Sequence, residues 1–182
     1  MKPLAAAALA LSLAGCAYPV AGNQDFDTVA FSASSWGRVL SGWTVGSSGA
    51  GSWYERINED GTQVPFGAYR ITYHDFQLDP AARAELQRLL AKVPDPVPDA
   101  EDCINFRTDS VYGGLKITYG STSQEVRYDE GCEDADYVAY LGTLHAIDTL
   151  IEGAGRATPA ARVEHFSEDG KGVSHKVIDD PG

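Results

Sequence analysis

Positive charge is scarce in this sequence: 14 Lys and Arg stand against 26 Asp and Glu, a formal net charge of −12. Phosphate backbones are gripped mainly by Lys and Arg that displace counterions. The deficit therefore argues against nucleic acid as a partner and disfavours a flat contact with anionic lipid. Cysteine is rarer still, with three residues, Cys16, Cys103 and Cys132. None sits in a CxxC pair and no His lies at ligand spacing, so no metal centre is expected. The Ala- and Leu-rich run from Leu4 to Leu13 is too short to span a bilayer. Also missing are the nucleophile elbow GxSxG, HExxH, the P-loop and the Rossmann glycine fingerprint. The stretch Gly46 to Ser52 (GSSGAGS) has no following Lys and opens no helix, so it is not expected to cradle phosphate. No internal repeat is visible and no cofactor is expected. These missing signatures weigh against catalysis.

What is present begins with an address. Lys2 precedes the short apolar run, which closes on Leu13-Ala14-Gly15-Cys16. Charge, short apolar run and small residues in that order read as an export signal, and the closing four residues resemble the bacterial lipobox. The resemblance implies that residues 1–15 are removed, that the Cys16 thiol carries a diacylglyceryl group, and that its new amino group is acylated too. At about 0.8 kcal/mol per buried methylene, such chains make attachment effectively permanent. The expected location is thus the cell envelope, with the membrane as a partner through the anchor. In a Gram-negative cell, Ala17 in place of Asp implies the outer membrane, facing the periplasm. Cys16 and residues 17–24 (AYPVAGNQ) form the lipidated end and a tether of at most roughly 30 Å.

The rest reads as one domain over residues 25–152 followed by a tail. Apolar residues make up 43% of the chain and it has three Trp, enough for a folded core. Val29, Phe31 and Ala33 alternate with polar or small neighbours, and Trp36 to Val45 and Trp53 to Ile57 continue the strand pattern. Asn58-Glu59-Asp60-Gly61 is a turn, after which Tyr69, Ile71 and Tyr73 alternate and are expected to face the core. Asp79-Pro80 starts a helix with Ala82, Leu86, Leu89, Leu90 and Val93 on one face. Pro94, Pro96 and Pro98 form a stiff linker. Alternating stretches follow at Ile104–Phe106, Leu115–Tyr119 and Val126–Tyr128. A second helix spans about residues 134–152 with the stripe Tyr137, Leu141, Leu144, Ile147 and Ile151, and Gly153 is expected to stop it. Residues 153–182 carry too few apolar side chains for a core and are expected to be a mostly disordered acidic tail. Within it, Val163–Phe166 and Val173–Ile178 flank a Gly-rich turn as a hairpin would, a unit that is marginal alone in water. The expected class is α+β, an antiparallel sheet with two helices packed on one face.

Once Cys16 is lipidated, Cys103 and Cys132 remain, and an exported pair most simply forms a disulfide. Three full strands between them would leave the two at opposite ends of a sheet, whereas bridged Cα atoms must lie within about 7 Å. Residues 103–108 are therefore expected to be short, bent or unpaired. Candidate chemistry rests on two pairs. His74-Asp75 ends a strand and could supply a general base, but His74 falls on the expected outward parity, as a solvated side chain would. His145 and Asp148 sit at i and i+3 on the second helix, as an acid–base pair or as a structural hydrogen bond. No catalytic residue is assigned from either. The binding candidate is the loop carrying Gly46, Ser47, Ser48 and Gly49, flanked by Trp43, Trp53 and Tyr54, because a mobile tip beside aromatic residues is a common recognition surface.

The order from Trp53 to Glu152 is strand, DG turn, strand, the helix LDPAARAELQRLL, proline linker, strand pair, and the helix YLGTLHAIDTLI. It is similar to several bacterial envelope domains. It also resembles emfourin-like inhibitors of thermolysin-type metallopeptidases, which implies an inhibitor as one expected activity and assigns no inhibitory residue. The leading expectation is a non-enzymatic, membrane-anchored lipoprotein that binds another envelope protein. A small hydrolase using a His-Asp pair is the remaining alternative.

Overall fold

The structure, a computed structural model, describes residues 25–59, 61, 67–168 and 173–178, with Glu168 and the last stretch known by backbone alone. The expected signal, Cys16 and the expected tether lie outside the described residues, as do 169–172 and 179–182 of the expected tail. Strands β1 (Thr28–Ser35), β2 (Arg38–Gly46), β3 (Ala50–Asn58) and β4 (Tyr69–Gln77) form an antiparallel meander. A hairpin of β5 (Tyr112–Tyr119) and β6 (Thr122–Asp129) joins beside β1, and β7 (Arg162–Glu168) with β8 (Val173–Ile178) joins beside β4. The eight-stranded order is β6-β5-β1-β2-β3-β4-β7-β8. Helices α1 (Pro80–Leu90) and α2 (Ala135–Arg156) pack on one face, as the α+β expectation required.

One row of side chains crosses the covered face, Val126–Leu115–Phe31–Trp43–Trp53–His74, each opposite the next. Phe31 stacks between Trp43 and Tyr128 with ring centroids 5.7 and 5.5 Å away. Asp79 caps α1 by accepting from Ala82 N at 2.7 Å, with Pro80 in the first turn, as the sequence signal implied. Leu86, Leu89 and Leu90 turn inward from α1. The expected stripe of α2 is buried in full, joined by Tyr140 and Gly155.

Gly153 does not stop α2, which continues to Arg156. A glycine costs a helix interior only about 1 kcal/mol, and packing two residues further on outweighs it: Gly155 lies against the Trp53 side chain, where an added Cβ would come within 2.7 Å of the Trp53 Cβ and 2.9 Å of its ring. Gly142, exposed in the middle of the same helix, has nothing within 4 Å of an added Cβ. One substitution should therefore act with opposite signs in one helix. Gly142→Ala is expected to stabilise by about 0.8 kcal/mol, whereas Gly155→Ala should destabilise by about 2 kcal/mol by forcing α2 off the sheet. Denaturant unfolding of the two variants checks both.

Two further expectations about the strands and the tail are corrected. Tyr69, Ile71 and Tyr73 do not face the helices: the register sets His74 and Phe76 on the covered face with Trp53, so the alternate residues point to the other side. There Tyr54 and Tyr73 meet at 5.8 Å, the Arg56 guanidinium lies 3.7 Å over Tyr69, and Tyr69 stacks on Phe166 at 4.7 Å. Aromatic side chains build a second layer on this face, and parity read from them inverts. The tail is likewise not wholly separate, because residues 162–166 pair with β4 and 173–178 with β7. An isolated hairpin is marginal, but β4 offers it an edge, and Arg162 lies 4.0 Å over Tyr73 while Phe166 stacks on Tyr69. The domain therefore extends past residue 152 into this hairpin.

Candidate binding surface

The loop singled out in the sequence is built into the fold. Trp43 and Trp53 are 1% and 2% exposed and belong to the central row, so neither is a recognition residue. Tyr54 lies on the opposite face beside Tyr73. Gly46 to Gly49 is a tight turn closed by Gly49 N donating to Gly46 O at 2.8 Å, with Gly49 at φ +86°. Ser47 N donates to Asp27 O, Arg83 Nη1 to Ser47 O, and Gln77 Nε2 to Ser48 O, each within 2.9 Å. Glycine and serine serve turn geometry here. Ser47 and Ser48 line a hollow of about 330 Å³ with Asp25, Arg83 and Gln87, at the end of the sheet where the tether would enter.

Neither His-Asp pair is assembled. His74 is half-buried on the covered face, correcting its expected outward position, while Asp75, one residue on, takes the opposite parity. His74 Nδ1 donates to Thr158 O at 2.8 Å, and its ring lies 5.1 Å from Trp53, so it pins the chain leaving α2. Nearby, Glu55 is 6% exposed and pairs with Arg156 at 2.6 Å, which also holds Glu152 at 2.7 Å. Burial pushes the Glu55 carboxyl up, and Arg156 draws it back down. His145 turns to Glu130 at 2.8 Å. Asp148 instead accepts from Trp43 Nε1 at 2.8 Å.

Burial raises the Asp148 carboxyl above its ordinary range, against the lowering effect of the Trp43 bond. A raised carboxyl pKa means that the folded chain holds the proton more tightly than the unfolded chain. Its contribution is full below the ordinary carboxylate range and is lost as pH rises through the folded value. Asp148→Asn keeps an oxygen for Trp43 and removes the buried charge. The variant is expected to melt a few degrees above the parent at neutral pH, with the gap closing in acid. A lower midpoint at neutral pH would contradict this reading of the site.

Cys103 and Cys132 form the expected disulfide, with Cα atoms 5.8 Å apart. Their approach follows the bend anticipated for 103–108. Residues after a short 3₁₀ turn at Ala100–Asp102 run back beside 131–133, with a Phe106–Cys132 bridge and Arg107 N donating to Gly131 O at 2.7 Å. Asp134 begins α2 yet makes no side-chain cap within it. Its carboxylate instead accepts from Ile104 N at 2.8 Å, from the Asn105 side-chain amide at 2.7 Å and from Asn105 N at 3.1 Å, bonds that hold it below the usual carboxylate range. A lowered pKa makes this tie fully present above the ordinary range and lost as pH falls through the folded value. Among the described residues, the group with ligand atoms close enough for a metal is Cys103, Cys132 and Asp134, and its two sulfurs are bonded to each other.

This end of the sheet carries what the sequence reading missed. Trp36, Val39, Ile104, Phe106, Tyr112 and Val138 are the exposed large apolar side chains among the described residues. All belong to segments meeting where β1 turns into β2, β5 begins and β6 ends. Ser34 sits opposite both Val39 and Tyr112, and Gly37 N donates to the Tyr112 hydroxyl at 2.8 Å. Tyr112 faces Asp129, the disulfide loop brings Ile104 and Phe106, and Val138 stands in the first turn of α2. Ile104 is 88% exposed, the most of the six. Beside this cluster a groove of about 630 Å³ runs between the edge of β6 and the segment Val97–Glu101. The sequence signal was present in the Pro94, Pro96 and Pro98 linker, whose neighbours form one wall.

No protein-family model, characterised protein sequence or solved structure matches the chain. No helix among the described residues is long and apolar enough to cross a membrane.

Proposed function

We propose that this chain is a lipid-anchored envelope lipoprotein that works by binding a protein partner, with its contact surface at the end of the domain away from the anchor. The observation that carries the reading is polarity along the sheet. Asp25 and Phe26, where the tether would arrive, lie at the Gly46–Gly49 end. The exposed apolar residues lie at the other, across the eight residues of β1, about 25 Å away at roughly 3.3 Å per residue. A chain held by Cys16 then presents Ile104, Phe106 and Tyr112 outward, where buried apolar anchors are the usual source of binding energy. The way His74 and His145 are taken up by Thr158 O and Glu130 favours binding over catalysis.

A photo-reactive side chain placed at Phe106, and separately at Ser48, in the full anchored chain tests the reading in living cells. One reproducible cross-linked protein from position 106, with none from 48, is expected. Equal labelling from both positions, or none from either, would count against the proposal.

A further inference from the structure

Strand β6 ends the sheet, and among the described residues no strand pairs with its outer edge. Its register with β5 is unbroken from Thr122 to Asp129, without the bulge or proline that commonly blunts an edge. The direction of its main-chain groups is marked by α2: the Tyr140 hydroxyl donates to Arg127 O at 2.7 Å, and Asp129 N donates to the Tyr137 hydroxyl at 2.9 Å. Two phenols thus cap the far end of the edge. Main-chain groups alternate along a strand, so Glu125 and Ser123 point the same way as Arg127 and Asp129. Facing this edge is the groove of about 630 Å³ whose opposite wall is Val97–Glu101. Val97, Pro98, Tyr112 and Tyr137 give it apolar and aromatic sides. Its charge is one-sided: Asp99, Glu101, Glu125 and Asp129 against Arg127, which already lies 3.8 Å from Glu125.

A strand edge of unbroken register, a groove alongside it and an acidic lining together define one kind of occupant. We infer that β6 and this groove bind an extended, basic peptide segment of the partner protein by strand addition. Main-chain bonds to Ser123, Glu125 and the Arg127 N–H, the outward groups not taken by the two phenols, would supply affinity, and alternate Lys or Arg side chains would meet Asp99, Glu101 and Glu125. The inference deepens the binding-module reading and rests on it for the source of the peptide.

The test uses the full lipidated chain in detergent and a fluorescent peptide of alternating lysine and valine. Two further peptides complete it: one of equal charge in which proline alternates with N-methyl-lysine, so that no backbone N–H remains, and one with glutamate in place of lysine. The lysine–valine peptide is expected to bind and to slow amide exchange at residues 122–127. The proline peptide, which cannot donate to the edge, is expected to bind at least about tenfold more weakly, and the glutamate peptide not at all. Glu101→Lys with Glu125→Lys, both at exposed positions, is expected to weaken binding about tenfold without shifting the melting midpoint. Equal binding of the proline peptide would reduce the effect to bulk charge and overturn the inference. Exchange protection at 104–106 in place of 122–127 would overturn it too while leaving the binding-module reading standing. Cross-linking that finds no partner, with peptide binding intact, would overturn that reading and leave the groove.

Discussion

Trp43→Ala is expected to lower the free energy of unfolding by about 4 kcal/mol, the usual scale for loss of a buried aromatic side chain. Trp43 is 1% exposed, lies between Phe31 and Trp53 in the row that crosses the sheet, and donates its indole N–H to Asp148. Its removal leaves a void in the middle of the core and a buried carboxylate without its donor, two costs that add. For a domain whose total stability is of order 5–15 kcal/mol, such a loss brings unfolding close to ambient conditions. Urea unfolding followed by far-ultraviolet circular dichroism measures it. A recognition tryptophan beside a mobile loop would leave the unfolding midpoint where it was, so a shift below about 1 kcal/mol would return Trp43 to the surface role that its sequence neighbours first implied.

Replacing both Cys103 and Cys132 with alanine is expected to cost about 3.5 kcal/mol by the loop-closure entropy regained in the unfolded chain. The bond closes a loop across a separation of 29 residues. The effect is also local. Cys132 is 2% exposed, and residues 104–107 are held to 131–134 by the Phe106–Cys132 bridge, by Arg107 N to Gly131 O, and by the Asp134 carboxylate. Without the bond, Ile104 and Phe106 lose their fixed placement, so the contact surface should loosen before the sheet does. Reductant should lower the midpoint of the parent to that of the double variant and leave the variant unchanged. Equal midpoints for parent and variant under oxidising conditions would show that the bond contributes nothing.

Much of the architecture was legible because its signals are local. Asp79-Pro80 announced α1, the apolar stripe of α2 was readable at helical period, and Cys103 and Cys132, read as an exported pair, implied their bond and the bend that brings them together. What failed depended on partners distant in sequence. The orientation of Tyr69, Ile71 and Tyr73 was hidden because aromatic residues furnish both faces of β3 and β4, and parity then follows from Phe76 and Trp53 across the register. Gly153 reads as a stop until Gly155 is seen against Trp53. The tail reads as disordered until β4 offers it an edge. The site was the least legible part. Ile104, Phe106 and Tyr112 look like ordinary strand residues in one dimension, and only the disulfide and the β1–β5 pairing gather them. The acidic groove draws on residues 97–101 and on β6, whose approach no spacing rule encodes.

The anchor is the claim on which the orientation of every other surface rests, and the mass of the mature amino terminus tests it most directly. Intact and peptide-level mass spectrometry of the chain purified from membranes is expected to show residues 1–15 gone and Cys16 carrying a thioether-linked diacylglyceryl group with an acylated amine. A mature chain whose Cys16 is a free thiol, released without detergent, would contradict the account.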